Sequence, residues 1–174
     1  MVDVGDRVDK RNLMTIDGTG VAVPSLDAIV HLQFRRFAHC PICNLHMRDV
    51  MRRHQEIADA GIREVVVFDS AADELRRYQA DLPFAVVADP DRKLYKEFGV
   101  ESSIRSILHP RAWRAGAKGM RWTTASGALG LGEGHLGKPA DFLIGVDGTV
   151  RACKYGEHAD DQWSVDEMLA LATR

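Results

Sequence analysis

The feature that most constrains the fold of this chain is a pair of cysteines, Cys40 and Cys43, at the junction of a predicted strand and a predicted helix. Residues 28–34 form an apolar run broken by two polar residues, which is typical of a strand. From Pro41 onward the apolar residues recur at helical spacing, and a proline in the first helical turn costs no backbone hydrogen bond. A strand that leads directly into a helix favours an α/β domain.

The spacing of the two cysteines favours redox chemistry. Two intervening residues place both sulfur atoms on one turn, where Cys43 can resolve a mixed disulfide formed by Cys40. The free amides at a helix N-terminus stabilise negative charge, so we expect a lowered pKa at Cys40. Arg35, Arg36 and His39 add positive charge to the same segment.

Two other interpretations of the pair remain open. One is a zinc site, which needs two further ligands; the available ones are Cys153 and a histidine such as His39, His46 or His158. The absence of a second cysteine pair or a spaced histidine pair weighs against metal, so we predict no metal ion. The other interpretation is a pair of buried, inert thiols. Cys153 lies in the second strand of a predicted hairpin, and we interpret it as a packing residue.

Length and composition predict one ordinary domain over residues 1–174, with a lead-in at 1–26. A chain of this size buries roughly 70 % of its unfolded surface, so it needs no disulfide for stability. The net charge of −2 argues against nucleic-acid binding. No secretory signal and no apolar stretch of roughly 20 residues is visible, which predicts a cytoplasmic protein without a membrane span, in a compartment where thiols stay reduced.

Strand and helix patterns alternate along most of the chain. The helix from Pro41 is expected to run to Gly61, with one inward face: Met47, Val50, Met51, Ile57 and Ala58. Strands are predicted at 13–16, 64–68 and 84–88, with helices started by Ser70 and by Asp89 with Pro90. A hairpin is expected around a two-residue turn, Asp147-Gly148, followed by a helix with a capping box at Ser164.

This order of elements predicts an α/β fold with a mixed central β-sheet and helices on both faces. Residues 102–137 differ from the rest and are interpreted as an insertion. Five arginines and lysines lie between 105 and 121 with no acidic residue, and seven glycines lie between 116 and 137.

Three segments carry a resemblance to a known family: FRRFAHCPIC at 34–43, the block 69–100 ending in FAVVADPDRKLYKEFGV, and KPADFLIGVDG at 138–148. They resemble the thioredoxin superfamily and, within it, AhpC/TSA-type peroxiredoxin-like proteins. The resemblance implies a thioredoxin-like fold with a peroxiredoxin-like strand–helix insert. It also implies that Cys40 attacks and Cys43 resolves. Pro139 matches the family's cis-proline, which shapes the substrate-binding surface; a simple strand-entry proline is the alternative.

The chain departs from this family at two positions. Peroxiredoxins carry a proline seven residues, and a threonine or serine three residues, before the attacking cysteine, whereas this chain has Gln33 and Phe37. Phe37 has no hydroxyl to orient a peroxide. Thioredoxins place a buried acid on the strand before the motif, and this strand has none. His31 is either a substitute base or a satisfied core histidine.

These observations predict a thiol–disulfide oxidoreductase, a peroxiredoxin-like antioxidant protein, that uses Cys40 and Cys43 and no cofactor. Its substrate is a protein disulfide or a hydroperoxide, and an external dithiol such as a thioredoxin system reduces it. A homodimer is compatible with this interpretation. The alternatives are a thiol peroxidase that reduces hydroperoxides and a redox-inactive binding module that contacts a partner through the basic insertion.

Overall fold

The computed structural model describes residues 1–100, 138–158 and 160–173. The strands are β1 (Arg11–Met14), β2 (Gly20–Val23), β3 (Ile29–Arg35), β4 (Ile62–Phe68), β5 (Ala85–Ala88), β6 (Ala140–Ile144) and β7 (Val150–Tyr155). The described helices are α1 (Pro41–Arg52), α2 (His54–Asp59), α3 (Ala72–Tyr78), α4 (Lys93–Glu97) and α5 (Val165–Ala172). The predicted insertion at 102–137 lies outside the described residues.

Five strands form one mixed sheet in the order β5-β4-β3-β6-β7. β3 is parallel to β4, and β4 to β5, whereas β6 runs antiparallel to both β3 and β7. The mixed sheet with flanking helices confirms the predicted fold class. β1 and β2 form a separate antiparallel pair that joins the edge of β5 through a bridge between Thr15 and Val87.

The sheet separates two hydrophobic clusters. The first packs β3 and β6 against α4 and contains Leu32, Phe34, Tyr95, Phe98 and Phe142, all buried. The second lies under α1, α2 and α5 and contains both cysteines of the pair. Since successive residues of a strand point to opposite faces, β3 contributes Val30, Leu32 and Phe34 to the first cluster and its polar residues to the side of α1. None of the described residues belongs to a helix long and apolar enough to cross a membrane.

The helix predicted from Pro41 to Gly61 is in fact two helices. Arg53, with φ −104° and ψ 14°, separates α1 from α2. Its guanidinium binds the carboxylates of Glu56 and Asp166. Met51, at the end of α1, and Ala58, in α2 after the break, are exposed instead of facing inward. Gly61 ends the segment with φ +73°, as predicted.

Two predicted helix starts differ from the structure. Ser70 does not cap α3; the N-cap is Ala71, and it makes no side-chain cap. Asp89 does satisfy the first amides of α4, accepting hydrogen bonds from residues 93, 94 and 95, but it does so from outside the helix. α4 therefore begins at Lys93 and not at Pro90.

The two C-terminal motifs are close to prediction. The turn between β6 and β7 has three residues and not two, because Gly145 pairs with Thr149 and Gly148 adopts φ +85°. The capping box of α5 is present, since the side chains of Ser164 and Glu167 each accept the other residue's backbone N–H.

Candidate active site

Cys40 and Cys43 lie together at the N-terminus of α1. Cys40 is the N-cap, and its Sγ accepts a hydrogen bond from the backbone N–H of Cys43 at 3.4 Å. The two sulfur atoms are 2.8 Å apart and hydrogen-bonded, with both cysteines free. Cys40 is 0 % and Cys43 3 % exposed. The structure therefore presents the reduced form of a pair that needs little movement to become a disulfide.

The two thiols ionise as a pair because they are in contact. Burial and the hydrogen bond with Cys43 raise the pKa of Cys40 well above its ordinary value. Burial also opposes ionisation of Cys43, but the hydrogen bond with Cys40 and the charges of Arg36 and Arg35 lower the pKa of Cys43 to about 7. The lowered pKa expected at Cys40 is thus a property of the hydrogen-bonded pair, which shares one proton and in which the charges of Arg36 and Arg35 favour the single thiolate.

Arg36 brings a positive charge into contact with Cys40. Its Nη1 lies 3.9 Å from the Cys40 Sγ, and the residue is only 6 % exposed. The guanidinium also stacks over the ring of Phe37, 5.1 Å from the ring centroid. Phe37 is buried, so the position that carries a hydroxyl in peroxiredoxins is here an apolar support for Arg36.

Two side chains that sequence reasoning missed hold the loop before Cys40. The backbone N–H of Ala38 donates to the hydroxyl of Ser70 at 3.1 Å, and the amide of Gln79 donates to the carbonyl of Ala38. Gln79 also donates to Asn44 in α1 at 2.7 Å. The Ser70 hydroxyl therefore does not cap α3 and instead accepts a hydrogen bond from the buried N–H of the loop before Cys40. Ser70 and Ala38 are 32 positions apart in the chain.

Beneath α1, three adjacent strands bring together five buried polar side chains, which we name the buried polar stripe: His31, Gln33 and Arg35 of β3, Glu64 of β4 and Asp141 of β6. Each is at most 2 % exposed. Strand register explains the grouping, because His31 lies opposite Glu64 and Gln33 lies opposite Asp141. The stripe lies on the side of β3 that faces α1.

His31 is held between two carboxylates. Its Nδ1 lies 2.9 Å from Glu64 Oε2 and its Nε2 lies 3.2 Å from Asp141 Oδ1. Because carboxylates only accept hydrogen bonds, both ring nitrogens donate and the ring is cationic. Burial disfavours this cation, but the charge of Glu64 and the hydrogen bond to Asp141 raise the pKa of His31 to about 9. His31 is therefore the satisfied core histidine and not a free base.

Arg35 connects the stripe to the redox helix. Its Nη2 donates to Asp141 Oδ1 at 2.6 Å, to Gln33 Oε1 at 2.8 Å and to His46 Nε2 at 3.2 Å. Since a guanidinium has no acceptor, His46 Nε2 must be unprotonated and His46 neutral. Burial and the charge of Arg35 accordingly lower the pKa of His46 to about 3. His46 lies one helical turn beyond Cys43 in α1.

Pro139 lies at the end of the sheet nearest the redox loop. It precedes β6, whose first residue, Ala140, pairs with Phe34 near the end of β3. Its carbonyl accepts a hydrogen bond from Gly156 at 2.8 Å. Among the described residues the cis peptide bond is Val23–Pro24, so the cis bond implied at Pro139 by the family resemblance is not found. A substrate-binding role for Pro139 stays a prediction.

The other ligands considered for zinc are dispersed. Cys153 packs against the cluster on the opposite side of the sheet from Cys40 and Cys43. His39 pairs with Glu74 at 3.1 Å, and His46 binds Arg35. Within the described ranges no three histidine, cysteine or acidic side chains are grouped in a way that could hold a metal ion.

Comparison with solved structures finds the same fold at low sequence identity. Peroxidoxin BcpB from Mycobacterium tuberculosis is 18 % identical with a TM-score of 0.71, covering 99 % of this chain and 97 % of its own. A putative thiol:disulfide interchange protein DsbE from Chlorobium tepidum is 18 % identical with a TM-score of 0.63 and covers 99 % of both chains. A cysteine-to-serine mutant of peroxiredoxin 6 from Arenicola marina is 13 % identical with a TM-score of 0.72, covering 99 % of this chain and 73 % of its own.

A search of curated protein sequences gave no match. Comparison with family models was decisive, because the AhpC/TSA family model matches residues 4–153, most of the chain. This match includes the cysteine pair and the hairpin segment from which the resemblance was inferred. It confirms the predicted class of function, a thiol oxidoreductase or thiol-dependent peroxidase, at the level of the family. The chain belongs to the AhpC/TSA family.

Proposed function

We propose that this protein is a thiol–disulfide oxidoreductase in which Cys40 and Cys43 alternate between dithiol and disulfide. The observation that carries the proposal is the contact between the two sulfur atoms, 2.8 Å apart at the start of α1. The nearby guanidinium of Arg36 and the lowered pKa of Cys43 supply a thiolate near neutral pH. Family membership supports the broader class of thiol chemistry.

The reaction transfers two electrons to a substrate disulfide. Passage of the Cys40 proton to the Cys43 thiolate lets the Cys40 sulfur attack, which forms a mixed disulfide and displaces one substrate thiolate. Cys43 then loses its proton and attacks Cys40, which breaks the mixed disulfide and releases the second substrate thiolate. An external dithiol, such as a thioredoxin system, returns the Cys40–Cys43 disulfide to the reduced form. Pro139, at the same end of the sheet, is proposed to shape the surface on which the substrate binds.

One observation favours reduction of hydroperoxides as a second candidate. Both sulfur atoms are almost completely buried, and a small hydroperoxide reaches such a site with less displacement than a protein disulfide requires. Against it stands Phe37, which lies next to Arg36 and offers no hydroxyl to orient a peroxide. We therefore rank disulfide exchange first.

The test compares cysteine variants on both substrates. We expect Cys40→Ser to lose turnover of a model disulfide and Cys43→Ser to accumulate a mixed disulfide that mass spectrometry detects. Cys153→Ser is the matched control, because Cys153 lies in the other cluster, and its activity should equal that of the wild type. Full activity of Cys40→Ser would overturn the mechanism. A faster reaction with hydrogen peroxide than with disulfide would reverse the ranking.

A separate measurement tests the redox-inactive binding module. Free thiols are counted before and after treatment with an oxidant, in the Cys153→Ser background. The proposed function requires two thiols to disappear together, whereas persistence of both would favour the binding module. The cytoplasmic location and a homodimeric assembly remain predictions from the sequence.

A further inference from the structure

The buried polar stripe carries a cost in folding free energy, because its charged side chains are removed from water. It places two cations, His31 and Arg35, and two anions, Glu64 and Asp141, in the centre of the sheet. Removing such charges from water costs several kcal/mol per ion, and apolar replacements of similar volume are often neutral or stabilising. Stability alone therefore does not account for this set of residues.

The position of the stripe relates it to the redox pair. Arg35 reaches α1 through His46, one helical turn beyond Cys43, while Arg36 reaches Cys40 from the preceding loop. Arg36 thus contacts the Cys40 sulfur directly, whereas Arg35 contacts the helical turn that follows Cys43. Arginine stays charged at all relevant pH values, so both supply permanent positive charge.

The carboxylates of the stripe are fixed as counter-ions. Asp141 Oδ1 accepts from Arg35 and His31, and Oδ2 accepts from the backbone N–H of Trp163 at 3.3 Å. Burial opposes ionisation of Asp141, but Arg35 and His31 hold its pKa well below the ordinary range. A carboxylate so held cannot take up a proton near neutral pH. Asp141 is therefore unsuited to carrying protons for the cysteines.

We propose that the fixed charges of the buried polar stripe set the reduction potential of the cysteine pair. Arg35 is a positioning residue that stabilises the thiolate of Cys43, and Asp141 is the counter-ion that weakens this stabilisation. The inference rests on the proposed function, because it assumes that Cys40 and Cys43 form a disulfide. It adds residues to that site which neither the cysteine motif nor the strand pattern assigns.

Charge balance gives the sign of the effect. Reducing the Cys40–Cys43 disulfide breaks the S–S bond and takes up two electrons and one proton, which leaves one thiol and one thiolate. Positive charge near the thiolate stabilises the reduced state, so it lowers the thiol pKa and raises the reduction potential. A tenfold change in the equilibrium constant for this two-electron couple corresponds to about 30 mV.

The experiment uses two substitutions with opposite expected effects. Arg35→Gln removes the positive charge and should shift the equilibrium with glutathione about tenfold toward the disulfide, with a higher thiol pKa. Asp141→Asn leaves Arg35 unopposed and should shift both quantities the other way. Arg35→Lys keeps the charge and should remain near the wild type. Potentials are measured in glutathione buffers and thiol pKa values by ultraviolet thiolate absorbance, all in the Cys153→Ser background.

A purely structural role predicts a different pattern. If Arg35→Gln and Asp141→Asn both lose stability while their potentials shift in the same direction or not at all, the inference is wrong. If the wild type never forms the disulfide, the proposed function fails first, and the thiol count described above identifies that outcome separately.

A variant on the helix side keeps the inference testable if Arg35→Gln does not fold. His46→Glu places a negative charge beside Arg35 and should shift the potential in the direction expected for Arg35→Gln. The matched control is Arg52→Gln, which makes the same unit change in charge on α1 at a side chain that is 74 % exposed. Equal potentials in His46→Glu and Arg52→Gln would overturn the inference.

Discussion

The two faces of strand β3 are both buried but carry opposite kinds of side chain. Val30, Leu32 and Phe34 point into an apolar cluster with α4, whereas His31, Gln33 and Arg35 point toward α1 and form an ion and hydrogen-bond network. All six side chains are at most 2 % exposed. The comparison teaches that burial alone does not decide residue type: the face that lies under the cysteine helix is charged, and the face away from it is not.

The largest expected effect is the loss of stability when a large side chain is removed from the apolar face of β3. Phe34 packs edge-on against Tyr95 at 5.0 Å and Phe142 at 5.8 Å between ring centroids. Phe34→Ala should therefore lower the free energy of unfolding by about 3–5 kcal/mol, through lost transfer energy and a cavity. Denaturant titration measures this loss. The reduction potential of the folded variant should stay near that of the wild type; a large shift would mean that the two faces are not separate in function.

The next largest expected effect is a change in the free energy of unfolding with pH, caused by the charged face of β3. The pKa of His31 is raised from 6.5 to about 9 in the folded state, by Glu64 and Asp141 against the opposing effect of burial. A raised pKa stabilises the fold fully below pH 6.5, and this contribution of about 3 kcal/mol is lost as the pH rises through 9. Across this interval the His31 contribution lowers the free energy of unfolding of the wild type, while the lowered pKa of Cys43, about 7, opposes the fall as the pH rises. The difference between the wild type and a variant without His31 isolates the His31 contribution.

The matched variant for this prediction is His31→Gln, which cannot titrate. It should be less stable than the wild type at pH 6, and its free energy of unfolding should lose the decline between pH 6.5 and 9. An identical decline in both proteins would show that groups other than His31 produce it.

The smallest expected effect comes from comparing a serine that holds the loop before Cys40 with a serine that caps a helix. Ser70→Ala leaves the buried amide of Ala38 without its partner and should cost about 1–3 kcal/mol. Ser164→Ala removes a true N-cap from α5 and should cost about 1 kcal/mol. Only Ser70→Ala should also slow disulfide exchange, because only that hydroxyl holds the loop before Cys40. Stopped-flow rates of both variants check this, and equal rates would contradict the assigned role of Ser70.

Much of the fold was predictable because its signals are local. The apolar alternation of β3, the continuous apolar run of β4 and the capping box at Ser164 each act within a few residues. The errors arose where a distant partner competed with a local preference. Arg53 interrupts the predicted long helix while binding Asp166, and Ser70 serves Ala38 instead of capping α3.

The sequence by itself determined the cysteine pair, its place between strand and helix, and the family to which these residues belong. It also showed that β3 alternates between apolar and polar residues. Only the tertiary structure decided what the polar residues meet, because the partners of His31 lie 33 and 110 positions away. Strand register brings Glu64 and Asp141 to that point, and burial there converts separate polar residues into a fixed charge network beneath the cysteines.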